Sequence, residues 1–143
     1  KKTGEWLRVA GLAGLAELAE LVHPFLIYLP AQDRRCLVER VQYAVCDPLR
    51  HAGDRARVVI VSNLAVIEIS RSGARAISIH SGVSTEQLRE ASPPGLSIDS
   101  PPPTEAPSAA ELAALNEVDA EGVRYLEFLS GAERLKALAG MAR

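Results

Sequence analysis

Val58-Val59-Ile60-Val61-Ser62-Asn63-Leu64-Ala65-Val66-Ile67-Glu68-Ile69-Ser70-Arg71-Ser72-Gly73-Ala74-Arg75-Ala76-Ile77-Ser78-Ile79-His80 is the stretch on which the fold turns. Its first four residues are apolar and β-branched throughout, the pattern of a strand covered on both faces. Residues 65–70 and 74–80 then alternate apolar with polar, and Arg71-Ser72-Gly73 between them has the composition of a tight turn. The order predicts a buried strand followed by a β-hairpin. Ile67 and Ile69 are expected on one face, with Ile77 and Ile79 on the matching face of the partner strand. Upstream, Phe25-Leu26-Ile27-Tyr28-Leu29 ends at Pro30 and reads as another strand buried on both faces. Residues 36–45 are rich in Val and Tyr and read as a strand too, with Glu39 and Arg40 in its middle.

Helices are expected on either side of these strands. Gly11-Leu12-Ala13-Gly14 is a turn between a short strand-like segment (Trp6, Leu7, Val9) and a helix whose apolar stripe is Leu15, Leu18, Leu21 and Val22, stopped by Pro24. Residues 47–54, with Pro48 and Gly53, read as a loop. Ser84 with Gln87, and Ser108 with Glu111, have the spacing of capping boxes and predict two helix starts. Between those helices lie Pro93, Pro94, Pro101, Pro102, Pro103 and Pro107. Such a run lacks amide donors and has fixed φ, so it is neither helix nor central strand. It reads as an extended arm lying over the body or reaching to a partner. The tail from Gly122 is helical in pieces, with Gly131 as the break. The class is therefore α/β. Residues 1–92 form the α/β domain, 93–107 the proline-rich arm and 108–143 a helical tail.

At 143 residues the chain is the size of one domain. Its 48% hydrophobic and 24% charged residues are a globular composition, and with only 4% aromatics the core must be built from Leu, Val, Ile and Ala. A formal charge of −2 gives no general electrostatic reason to bind nucleic acid or an anionic membrane. Pro30, Asp33 and two arginines cut off the apolar run before it reaches the length of a membrane span. Lys1 and Lys2 are followed by polar residues rather than the apolar core of a signal peptide, and the only methionine is Met141. The expectation is a soluble cytoplasmic chain separated from an N-terminal portion.

Few residues suggest chemistry on their own. The Gly11/Gly14 turn precedes a helix, where free amides can receive a carboxylate, phosphate or thioester oxygen; the plainer reading is that the turn needs positive φ. Glu39 within an apolar strand is a candidate base or nucleophile, against an ion pair with Arg34, Arg35 or Arg40. Cys36 and Cys46 match no CxxC metal spacing; His51 approaching Cys46 would suggest catalysis, but free cysteines are common small core residues. His23, His51 and His80 have no mutual metal spacing, and His80, ahead of a glycine turn, reads as structural. Ser62 lacks the Gly-x-Ser-x-Gly surroundings of a nucleophile elbow. Neither a P-loop nor a dinucleotide fingerprint occurs.

Several stretches together resemble the B subunit of family I CoA-transferases, of the glutaconate and 3-oxoacid type. Residues 58–69 are similar to a strand pattern near the end of that subunit. Ile79-His80-Ser81-Gly82-Val83-Ser84-Thr85-Glu86-Gln87-Leu88-Arg89-Glu90-Ala91 resembles its His-Pro-Gly-Val-Thr signature and short helix, with Ser81 in place of the proline. Asp33-Arg34-Arg35-Cys36-Leu37-Val38-Glu39-Arg40-Val41 is similar to its basic turn running into a Val-Glu-Arg-Val strand. The proline-rich arm and Asp119-Ala120-Glu121-Gly122-Val123-Arg124 follow in the family's order. Gly11-Leu12-Ala13-Gly14-Leu15-Ala16-Glu17-Leu18 resembles the glycine segment that lines the family's active site, with Ala13 replacing a glycine and Glu17 an aspartate.

The resemblance implies a CoA-transferase-like sheet with flanking helices and a subunit that exchanges CoA between carboxylic acids. Coenzyme A would enter as a thioester substrate, with no bound cofactor and no metal. Gly11 and Gly14 are the implied substrate-binding residues. An A-type subunit, the N-terminal half of the B subunit, or both are the implied partners. The family's thioester-forming glutamate lies upstream of the glycine segment and no residue here matches it, so no catalytic residue is carried over. The alternatives are a CoA-thioester decarboxylase or ring-cleaving hydrolase on the same scaffold, and a non-catalytic scaffold or regulatory subunit.

Overall fold

The structure, a computed structural model, describes residues 24–41 and 56–141 together with residues 14, 18, 22, 44, 47 and 49. Five strands form one mixed sheet: β1 (Phe25–Leu29), β2 (Arg57–Ser62), β3 (Ala65–Ser70), β4 (Gly73–Ile79) and β5 (Leu96–Ser97), side by side in chain order. β1 runs parallel to β2, the β2–β3–β4 meander is antiparallel, and β5 returns parallel to β4. The crossover from β4 to β5 carries helix α1 (Thr85–Glu90). The α/β class expected from the sequence is the one observed.

Side-chain alternation decides which face is covered. Val58 and Ile60 of β2, Ala65 and Ile67 of β3, Leu88 of α1, Leu96 of β5 and Ile98 beyond it form the buried core. Phe25 and Leu29 pack against its margin. On the opposite face Arg57 and Arg75 flank Glu68, whose carboxylate is 2.9 Å from Arg75 and 3.8 Å from Arg57. Leu26 (66% exposed) and Tyr28 (56% exposed) lie on that same open side. β1 and β2 are thus not covered on both faces as their composition suggested. In β2 only alternate residues are buried, and Val61 is exposed. The second cover has no supplier among the described residues.

Two further expectations are corrected. Residues 36–41 contain no strand. Asp33 accepts hydrogen bonds from the Arg35 and Cys36 amides at 2.7 and 2.8 Å, and its carbonyl accepts from Leu37 at 3.0 Å, so the chain turns where extension was expected. The fifth strand is instead the short β5. The hairpin forms with Arg71-Ser72 as its two-residue loop, but Ile67 faces Ala76 and Ile69 faces Ala74. A bulge takes Ile77 out of the pairing and off the expected face, whereas Ile79, opposite Ala65, keeps that face and packs on the same core as Ile67 and Ile69.

Both expected capping boxes are present. Ser84 Oγ accepts from the Gln87 amide while Gln87 Oε1 accepts from the Ser84 amide, opening α1. Ser108 and Glu111 do the same for α2 (Ala109–Val118). A 3₁₀ helix (Val123–Phe128) and α3 (Gly131–Met141) complete the tail, with α3 starting at the expected break. None of these three segments contains a buried residue. The arm is fastened rather than free: the Ile79 amide donates to Pro102 O at 2.9 Å and the Thr104 amide to Ile79 O at 2.7 Å.

Candidate functional site

Gly14 sits at φ +81°, in the left-handed region that glycine enters without cost. Its carbonyl accepts the Leu18 amide at 3.1 Å, and Leu18 in turn accepts the Val22 amide at 2.9 Å, both helical i to i+4 links. Gly14 therefore stands at the entrance to a helical turn, where the sequence placed it. Gly11, Cys46, His23 and His51 lie outside the described residues. Among the described residues, no hydrogen bond or ion pair joins Gly14 to Cys36, Glu39 or His80.

Glu39 is not in a strand and makes no ion pair among the described residues. The expected partnership with Arg34, Arg35 or Arg40 does not form; Arg34 Nε donates to Glu90 O at 2.7 Å instead. The Glu39 carboxylate stands 4.0 Å from the point where a side chain on Gly95 would begin. It borders a cleft of about 180 Å³ whose walls include Leu37, Ile67, Ile69 and Leu96. Cys36 is exposed. The hydrogen bond to Asp33 pushes its thiol pKa up, with partial desolvation adding to the effect, which lowers the reactive thiolate fraction.

Ser62 spends its hydroxyl on the turn that follows it: Oγ accepts the Leu64 and Ala65 amides, each at 3.1 Å, and donates to Ala65 O at 3.0 Å. His80 is placed beside that turn. Its Nε2–H donates to Ser62 O at 2.9 Å, its Nδ1 lies 2.8 Å from Thr104 Oγ1, and its amide donates to Leu64 O at 2.9 Å. The structural reading of His80 is supported by these contacts.

Sequence reasoning missed a polar cluster on the same turn. Gln32 is buried, donates from Nε2 to the buried Ser92 hydroxyl at 2.8 Å, and donates its amide to Asn63 Oδ1 at 2.7 Å. Its Oε1 is buried without a partner. A glutamine one residue after Pro30-Ala31 carries no signal of burial in the sequence. No group of three metal-ligating side chains occurs among the described residues, and no helix there is long and apolar enough to cross a membrane.

No protein-family model matches the chain, and no curated protein sequence does. Solved structures do. The chain superposes on the decarboxylase AibA/AibB with a TM-score of 0.70 and 31% identity, over 83% of this chain and 48% of that one. The fold is shared. IpdAB of Rhodococcus jostii RHA1 gives a TM-score of 0.64 at 23% identity, over 82% of this chain and 51% of that one. This chain thus spans about half the length of the solved chains it matches.

Proposed function

We propose that this chain is a portion of a CoA-transferase-like B subunit that processes acyl-CoA thioesters together with a partner chain, and that its reaction is decarboxylation rather than CoA transfer. The observation that carries the reading is the 31% identity to the decarboxylase AibA/AibB over 83% of this chain. The two-part names AibA/AibB and IpdAB support a partner chain. The CoA thioester comes from the sequence resemblance around Gly14 and residues 79–91.

Loss of CO₂ leaves the electron pair of the broken C–C bond on carbon, and a proton must replace the carboxylate. A conjugated thioester carbonyl takes up that pair as an enolate, so donors aimed at its oxygen accelerate the step. The Gly11–Gly14 turn is the proposed source of such donors, because Gly11 and Gly14 carry no side chain to obstruct close approach, although Ala13 adds a methyl group between them. The wall role of this turn is common to the transferase and decarboxylase readings.

The test is to supply the assembled complex with CoA thioesters that bear a free carboxylate, then measure CO₂ release and probe for an enzyme-bound thioester with hydroxylamine. CO₂ without a trapped adduct is the expected outcome. A trapped adduct with CoA exchange between acids would restore the transferase reading, and inertness in both assays would leave a non-catalytic scaffold.

A further inference from the structure

The cleft bordered by Glu39 opens on the core face of the sheet and has no lining residue in common with the Gly14 turn. Its floor is Ile67 and Ile69 of β3 and Leu96 of β5; Ile67 and Leu96 belong to the buried core, and Ile69 packs against it. Leu37, from the turn after Asp33, closes one side. The volume is about 180 Å³. An apolar cavity of about 150 Å³ is enough to take up benzene, so one six-membered ring or a branched chain of similar bulk fits here.

Two features of the mouth select what enters. Among the lining residues Glu39 alone is ionisable, and no cation pairs with it among the described residues. Arg34 donates to Glu90 O, while Arg57 and Arg75 flank Glu68 on the other face of the sheet. The second feature is Gly95. It lies in the turn over residues 93–96, closed by the Leu96 amide donating to Pro93 O at 3.1 Å, and it has no left-handed φ. Any residue type can adopt that backbone, so conformation does not explain the glycine. Its consequence is space. A Cβ at this position would meet only Glu39 Oε1, at 4.0 Å, and a larger side chain would stand in the mouth.

We propose that this cleft binds a small primary ammonium ion with a compact hydrocarbon body. The hydrocarbon rests on Ile67, Ile69 and Leu96, and the ammonium group meets the Glu39 carboxylate. Leaving water supplies most of the affinity of the hydrocarbon, and the carboxylate decides which sign of charge is accepted. A neutral molecule of the same shape lacks the ion pair, and an anion is repelled. The assignment is independent of the acyl-CoA reading, since it uses neither the Gly14 turn nor residues 79–91.

Benzylammonium, benzyl alcohol and benzoate share one ring and differ in charge, which makes them the probes. Each is titrated at neutral pH into the full chain as purified, labelled at the isoleucine δ1 methyl groups. Ile67 and Ile69 report occupancy, and Ile27 of β1, which does not line the cleft, is the control. Benzylammonium is expected to shift both methyl signals with a Kd of about 1 mM. It should bind several-fold tighter than benzyl alcohol, the size of one surface ion pair, with benzoate weakest. Glu39→Gln should lower benzylammonium to the affinity of benzyl alcohol and leave benzyl alcohol unchanged. Gly95→Val should abolish binding of all three by obstructing the mouth. The dispersion of the isoleucine spectrum reports whether each variant is folded. Absence of a shift at Ile67 and Ile69, equal affinity for the three probes, a cation preference that survives Glu39→Gln, or binding retained in folded Gly95→Val would each overturn the proposal. If Gly95→Val does not fold, the fate of the cation preference in Glu39→Gln decides alone.

Discussion

At the scale of single residues, position and partners matter more than residue type. Glu39 drew notice as a carboxylate inside an apolar run, yet it is exposed, outside any strand and unpaired among the described residues. Glu39→Gln should therefore change stability by less than about 0.5 kcal/mol, read from the midpoint of urea unfolding. A loss of several times that would reveal a partner. Gly14 is the opposite case, since φ +81° belongs to a region where a branched side chain is strained. If the turn approaches the thioester, Gly14→Val abolishes turnover of the assembled complex while the complex still forms; unchanged turnover would take the turn out of the site. Gly14 was legible because a glycine before a helical stripe needs no tertiary information. Gln32, buried against Asn63 and Ser92, was not, because its partners lie 31 and 60 residues away.

At the scale of elements, local chemistry was legible and long-range pairing was not. Ser84 with Gln87 and Ser108 with Glu111 announced two helices correctly because both halves of each cap lie within one turn. The same spacing at Ser130 and Glu133 opens α3 but was overlooked. The β-branched run after Cys36 misled because propensity favours extension, whereas Asp33 captures the next amides and bends the chain. The bulge at Ile77 falls where Ala76 and Ile77, two apolar residues in succession, shift the phase of the alternation, a mark the even spacing on either side conceals. The caps also make a pH prediction. The Ser108 amide and hydroxyl hold the Glu111 carboxyl below its usual range, and the Ser130 hydroxyl and amide do the same for Glu133. Partial desolvation pushes Asp119 up, but hydrogen bonds from the Arg124 and Val123 amides and the Arg124 guanidinium outweigh it and hold it low. A carboxyl with a lowered folded pKa stabilises fully above its unfolded value, and that contribution fades as pH falls through the folded one. Helical circular dichroism should thus begin to fall below about pH 4.3, with the tail helices leading and the sheet following. Ser108→Ala removes one half of a cap and should cost α2 about 1 kcal/mol, visible as lost helicity at neutral pH.

At the scale of the whole molecule, the described residues leave large apolar side chains uncovered. Leu26 and Tyr28 stand on the open face of β1, and Val118 (88% exposed) and Leu135 (71% exposed) mark a tail that touches β1 through Tyr28 and Glu127 at 2.7 Å. Such surface is the signature of an interface. The proposed B-subunit reading accounts for it by an obligate assembly burying more than roughly 2,000 Å². Light scattering after size exclusion is expected to show an oligomer or complex; a cooperatively unfolding monomer that binds no hydrophobic dye would refute this. The two sides of the sheet are also unequal. Beyond β4 the backbone is occupied by β5 and then by Pro101-Pro102-Pro103, whose nitrogens carry no hydrogen to offer an incoming strand. β1 has no such guard among the described residues, and it is apolar along its whole length. Aggregation of the separated chain should therefore have a direction, recruiting new strands at β1 and never at β4. A lysine in place of Leu26 would slow it, and the same lysine in the arm would do nothing.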